Sequence, residues 1–190
     1  MTEAPTVELR PLRHEDSERL LRWRNAPEVA AHMYSDHAIT PDEHARWFAG
    51  IAGDERRAYW VIEMDGTPVG LANLYDIDRN NRRCAWAYYL AEPQVRGRGV
   101  GSYVEYLMIE RIFGELGLDK LWCEVLAANQ AVWKLHQSFG FQIEANLRRH
   151  VRKGGEPADV LGLGLLKEDW ARVRDSQRKR LAAKGYALPD

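Results

Sequence analysis

Apolar and polar residues alternate along TVELRPL, residues 6–12, and that period of two predicts a short strand. HEDSERLLRWRN, residues 14–25, has helical spacing instead, and Pro27 breaks it. VAAHMY reads as a further short helix. Thr40-Pro41-Asp42-Glu43 joins a capping hydroxyl, a proline at the first helical position and a glutamate at the third, so a helix runs from 41 to about 49. Three strand patterns follow, AYWVIEM, PVGLANLYDID and CAWAYYL. The hairpin signal Asp65-Gly66 and the turn RNNRR join them into an antiparallel meander. Residues 94–106, QVRGRGVGSYVEY, then place Gly97, Gly99 and Gly101 just ahead of a helix reaching about 114. Its apolar face is Val100, Val104, Leu107, Met108 and Ile112, with Glu105, Glu110 and Arg111 turned elsewhere. DKLWCEVLA is a strand, and Asn129 caps a helix over 130–138 that Gly140 ends. The stretch from 141 to 166 reads as two long strands hinged at Gly154-Gly155, and a charged helix from 167 to about 183 follows. With no linker, residues 1–190 form a single α+β domain.

Composition narrows the classes. The chain is 45% hydrophobic and 29% charged, which is globular rather than disordered. A net charge of -1 asks for neither nucleic acid nor an anionic membrane as partner. No apolar run approaches a membrane span, and MTEAPTVELR is neither a signal nor a transit peptide. Cys84 and Cys123 are far apart in strand-like runs, so buried free thiols in a reducing cytoplasm are expected. His32, His37 and His44 lack metal-site spacing, so no metal is expected.

The glycines carry the chemistry. A helix N-terminus offers N–H groups without intrahelical partners and a partial positive charge. Gly99 and Gly101 leave those groups uncovered by side chains, so a diphosphate can approach the backbone, and Arg96 and Arg98 add charge. No Gly-Lys-Ser/Thr follows, which excludes a Walker loop, and antiparallel strands precede it, which disfavours a dinucleotide fingerprint. A flexible turn with two solvated arginines stays open on the loop alone.

Arg96-x-x-Gly99-x-Gly101 resembles the acetyl-coenzyme A signature of the GNAT (Gcn5-related) N-acetyltransferases, and NQAVWKLHQSFGF, residues 129–141, resembles that family's second signature. The resemblance implies the GNAT fold: a mixed, mostly antiparallel sheet of about seven strands flanked by helices and splayed between the fourth and fifth strands. It implies acetyl-CoA as co-substrate. The expected contacts are Leu90, Val95, Arg96, Gly97, Arg98, Gly99, Val100, Gly101, Ser102 and Asn129, the last also as helix cap. Pantetheine would pair with AWAYYLA, and a backbone N–H near Leu90 would receive the oxyanion. An amine attacking a thioester must lose a proton, and the leaving thiolate must gain one. Glu124, mid-strand among apolar neighbours, is the candidate base; an edge-exposed or structurally paired carboxylate is the alternative. The family usually has tyrosine as acid after the leucine of its second signature; this chain has Leu135-His136. His136 is therefore the candidate acid, with a packed histidine, and water or Tyr89 as acid, left open.

For the acceptor, WRN, MYSDHAIT, WAYYLA, GVGSYVEY and RKGGEPADVLGLGLL resemble one branch of the family. That branch acetylates the 4-amino group of a UDP-linked amino sugar on the way to pseudaminic acid, for flagellin or cell-surface glycosylation. The resemblance implies Arg24 and His44 on the nucleotide and Asn73, Tyr75 and Tyr89 at the sugar. Cations beside aromatics suit a nucleotide. The opening VELRPLRHEDSERLLRWRN also resembles the branch that acetylates ribosomal protein N-termini. A polyamine acceptor, or a module binding acetyl-CoA without turnover, completes the alternatives. Trp170 and Val173 of the last helix dock on the core or on a second subunit, which leaves a homodimer open.

Overall fold

The computed structural model describes residues 4–188. Strand β1 (Val7–Pro11) leads through α1 (Ser17–Asn25), α2 (Pro27–Ala30) and α3 (Pro41–Ile51) to the meander β2 (Ala58–Met64), β3 (Thr67–Asp78) and β4 (Arg83–Leu90). Helix α4 (Val100–Glu110) runs on into a π-helical turn, Arg111–Glu115, and is followed by β5 (Lys120–Leu126) and α5 (Gln130–Ser138). The hairpin β6 (Gln142–Lys153) and β7 (Glu156–Leu166) and the helix α6 (Lys167–Ala182) complete the order. The seven strands lie as β1-β2-β3-β4-β5-β7-β6. Every neighbouring pair is antiparallel except β4 with β5. This is the mixed sheet that the family resemblance implies.

Local chemistry explains the joints. Asp65 and Gly66 both hold positive φ, 52° and 74°, the backbone of the tight turns that match hairpin twist. Thr40 Oγ1 accepts from the Glu43 amide at 3.2 Å, and Pro41 sits at the first helical position, as expected. Pro27 does more than break the first helix. It opens α2, which ends at Ala30, so the helical reading of VAAHMY holds only for its first residues. Asn129 stands at the N-cap of α5 but makes no capping side-chain bond.

Strand alternation sorts the interior into two layers. Ile62, Ala72, Trp86, Leu121 and Cys123 face α4, α5 and α6 in the larger core. Val61 and Leu71 face Leu20 and Trp23 of α1 in the smaller one, with Trp47, Phe48, Tyr59 and Tyr89 packed around them. Helix α4 departs from its predicted single apolar face. Tyr103, Glu105, Tyr106 and Ile109 are buried along with Val100, Val104 and Met108. Sheet covers one side of it, and α6 lies across another, where Trp170 Nε1 and Arg174 both bond the Glu110 carboxylate. Trp170 thus docks on the core of its own chain.

The feature that positions the site is a failure of pairing. Strands β4 and β5 are joined only at Arg83–Lys120, Cys84–Leu121 and Ala85–Trp122. Beyond that β4 follows β3 and β5 follows β7, so the two edges part. Among the described residues no helix is long and apolar enough to cross a membrane, and both cysteines are buried free thiols.

Candidate active site

The parting strands enclose a cavity of about 480 Å³. One wall is the consecutive run Trp86, Ala87, Tyr88, Tyr89 and Leu90; the other is Cys123, Glu124, Val125 and Leu126. Helix α5 contributes Val132 and His136, and Asn129 stands at its mouth. The segment after α1 supplies Glu28, His32, Met33 and Tyr34, and β3 supplies Tyr75. The unpaired edge of β4 exposes backbone groups that an extended ligand can bond as an added strand would.

Alternation along β5 puts Glu124 and Cys123 on opposite faces of the sheet, and His136 of α5 stands on the Cys123 side. Glu124 lies on the face away from α4, where Tyr34 Oη donates to its Oε2 at 2.7 Å. Burial, and then the Glu124 carboxylate, push the hydroxyls of Tyr34 and Tyr75 well above the usual phenol range. Both tyrosines therefore stay protonated, with Tyr34 as the donor to Glu124.

Cys123 and His136 lie on the α4 face. His136 is 3% exposed and its Nδ1 lies 2.8 Å from Glu105 Oε1, with Glu105 fully buried. The ring packs against Trp86, Tyr88 and Phe141. Burial alone would lower the imidazole pKa; Glu105 and the Cys123 side chain outweigh it and carry the value up to about 10. Burial raises the Tyr88 hydroxyl as well.

Beyond Leu90 the loop carries Val95 into the core as an anchor and turns through Gly97 and Gly99 at φ 73° and 83°. Gly99 is the N-cap of α4 and no side chain caps it, so the first-turn N–H groups at Val100, Gly101 and Ser102 are left for an outside acceptor. A Cβ on Gly101 would meet Tyr88 Oη at 3.3 Å, so the glycine keeps the floor open. Arg96 is exposed. The Arg98 guanidinium is held by Asp65 at 3.5 Å and by Met64 Sδ, which ties it to the β2–β3 hairpin. The loop has the shape and polarity of a diphosphate seat, so the residues present fit a coenzyme A ligand.

The acceptor residues divide. Tyr75 and Tyr89 line the cavity. Arg24 is half-buried, donates from Nη2 to Ser35 Oγ at 3.3 Å, and has no carboxylate partner among the described residues. Burial lowers its pKa and the neighbouring Tyr89 opposes that. Tyr89 Oη is itself buried without a partner among the described residues. Asn73 shares the Tyr75 face of β3, opposite Ala87, and is not among the lining residues. His44 departs from its predicted role. It is 5% exposed, its Nε2 lies 3.1 Å from Ser17 Oγ, and its ring packs on Trp47 and Phe48. It braces α3 against α1 and does not border the cavity. The sequence reading missed Glu105 and the part of Tyr34. No motif flags either; only the three-dimensional register brings them to His136 and Glu124.

The comparisons with known proteins agree with this geometry. Residues 6–142 match the model of the acetyltransferase (GNAT) domain. The chain is 23% identical over 170 residues to a spermidine N(1)-acetyltransferase of Escherichia coli, covering 90% of this chain and 91% of that one. It is 24% identical over 173 residues to a putative ribosomal N-acetyltransferase of Bacillus subtilis, covering 86% and 93%. A spermidine N-acetyltransferase of Vibrio cholerae, solved with CoA and spermine, superposes with a TM-score of 0.80 at 20% identity, over 87% of this chain and 98% of that one. At that identity the structural likeness shows the fold. The family match spans well over half the sequence, and this chain belongs to the GNAT acetyltransferases. It is an acetyl-CoA-dependent N-acetyltransferase.

Proposed function

We propose that the enzyme acetylates the 4-amino group of a UDP-linked amino sugar by direct attack of the amine on acetyl-CoA. Glu124, held by Tyr34, accepts the proton of the attacking amine. A backbone N–H near Leu90, on the unpaired edge of β4, receives the oxyanion. His136 returns a proton to the leaving thiolate from the cofactor face. Placing the two substrates on opposite faces of one splay supplies much of the acceleration, and no covalent intermediate is needed.

The observation that carries the acceptor assignment is Arg24. A half-buried guanidinium whose only hydrogen-bond partner among the described residues is a serine hydroxyl, beside a Tyr89 hydroxyl that has none there, fits an acceptor that brings its own anion. A nucleotide diphosphate does so. A second reading rests on Glu28 and Glu124, two carboxylates lining the cavity, which suit a cationic polyamine and accord with the names of the spermidine-acetylating relatives. Thiol release from acetyl-CoA, measured in parallel with the UDP-4-amino sugar, spermidine and a ribosomal N-terminal peptide, separates these. The proposal requires the nucleotide sugar to give the highest kcat/KM. It also requires Arg24→Ala to raise KM for that acceptor at least ~10-fold, the loss expected for one charge-assisted contact. Preference for spermidine, with Arg24→Ala silent, contradicts it.

A further inference from the structure

The buried pair behind the cavity holds a residue that lies outside both GNAT signatures. Glu105 is fully buried on α4, one turn beyond Gly101, so a single helix carries both the phosphate-facing N–H groups and a carboxylate beneath the site. A buried carboxylate is costly unless it is paired, and a pair that serves packing alone is readily replaced by apolar side chains. Here the pairing is incomplete. Glu105 Oε1 takes the His136 Nδ1 contact at 2.8 Å while Oε2 has no partner among the described residues. The ring is clamped by Trp86, Tyr88 and Phe141, so it cannot swing to another acceptor without disturbing the core. The titratable groups facing it are Glu105 from α4, Cys123 from β5 and Tyr88 from β4. Only Glu105 among them is a carboxylic acid, and with Nδ1 committed to it, Nε2 is the nitrogen left for the Cys123 side chain or an acceptor in the cleft.

We propose that Glu105 is the positioning residue of His136: it fixes Nδ1 as a proton-bearing nitrogen and holds the ring as an imidazolium, so that the ring meets the cleft as a proton donor. The inference rests on the reading of His136 as the acid. Its chemistry balances simply. The C–S bond of acetyl-CoA breaks, the thiolate takes the imidazolium proton, and the neutral ring, still bonded to Glu105, recovers a proton from solvent or from the proton released by the amine.

The test is an NMR titration of the imidazole in the full chain, wild type against Glu105→Gln, with kcat followed over the same pH range. In the wild type the His136 ring keeps both protons through pH 9. In Glu105→Gln it gives up the second proton at least about 100-fold more readily, and the basic limb of the kcat profile moves down in pH with it. Glu105→Asp restores part of both shifts. A wild-type ring that titrates near the ordinary histidine value overturns the proposal without any variant, and so does a Glu105→Gln ring that titrates as the wild type does. The two readings fail separately. If the ring responds to Glu105→Gln while His136→Gln keeps full kcat at every pH, the pairing stands and His136 is not the acid.

Discussion

Glu124 and His136 are twelve positions apart in sequence and lie on opposite sides of β5, an arrangement that would let one take a proton while the other gives one. Glu124→Gln removes the base and leaves the shape, so turnover at neutral pH should fall by about 10²–10⁴ with little change in KM for acetyl-CoA, read by thiol release. An unchanged rate removes Glu124 from the role. His136→Phe should depress kcat while cofactor affinity, measured calorimetrically, stays near wild type; lost affinity instead would make the ring a packing surface for the cofactor. The pairing of Glu124 was legible because a carboxylate in LWCEVLA is costly unless something bonds it, and Tyr34 does. That of Glu105 was not. The helical period puts it off the apolar stripe, and only α4's burial on all sides turns a polar position inward. His44 misled for the opposite reason: a histidine among aromatics reads equally as a nucleotide contact or a buried hydrogen-bonded ring, and Ser17 satisfies it.

At the scale of elements, the turn and cap residues were the most readable features, since Asp65-Gly66, Thr40-Pro41 and Gly140 act within a few residues of themselves. The splay was not readable from the apolar pattern. Both β4 and β5 alternate normally, and their divergence is a matter of register with β3 and β7. Two glycines test how the elements are held. At Gly99 the left-handed backbone opens α4, and any side chain there is strained by ~1–2 kcal/mol and stands at the edge of the phosphate seat. Gly99→Val should weaken coenzyme A binding about 10-fold or more by calorimetry while leaving the melting temperature within a few degrees. Gly70 lies on β3 with the Tyr89 carbonyl where a Cβ would be, and backbone cannot step aside as a side chain can. Gly70→Ala should cost ~1–3 kcal/mol of stability, seen as a lower denaturant midpoint, and disturb the β4 edge.

Two buried ion pairs couple the whole molecule to pH. Asp16 is buried against Arg10, which also bonds Glu63, and this network ties β1 and β2 to the start of α1. Burial opposes its charge, the Arg10 and Arg13 bonds win, and its pKa lies below 3.8, so its stabilisation is present above that value and is lost on further acidification. His136 acts at the other end. Its folded pKa of about 10 exceeds the unfolded 6.5, so its contribution is complete below pH 6.5 and drains as pH rises through 10. The melting temperature should therefore decline between pH 7 and 10, and His136→Phe should flatten that decline; a slope identical in both proteins contradicts the pairing. The family was readable from two short signatures because they are bound to backbone geometry, whereas the acceptor depends on which side chains the first helices turn inward. The most direct test is a crystal structure with coenzyme A. The diphosphate should lie on the first-turn N–H groups of α4, with the sulfur between the β4 and β5 edges, on the His136 side of β5. A diphosphate bound elsewhere, or a sulfur walled off from His136, would contradict the account.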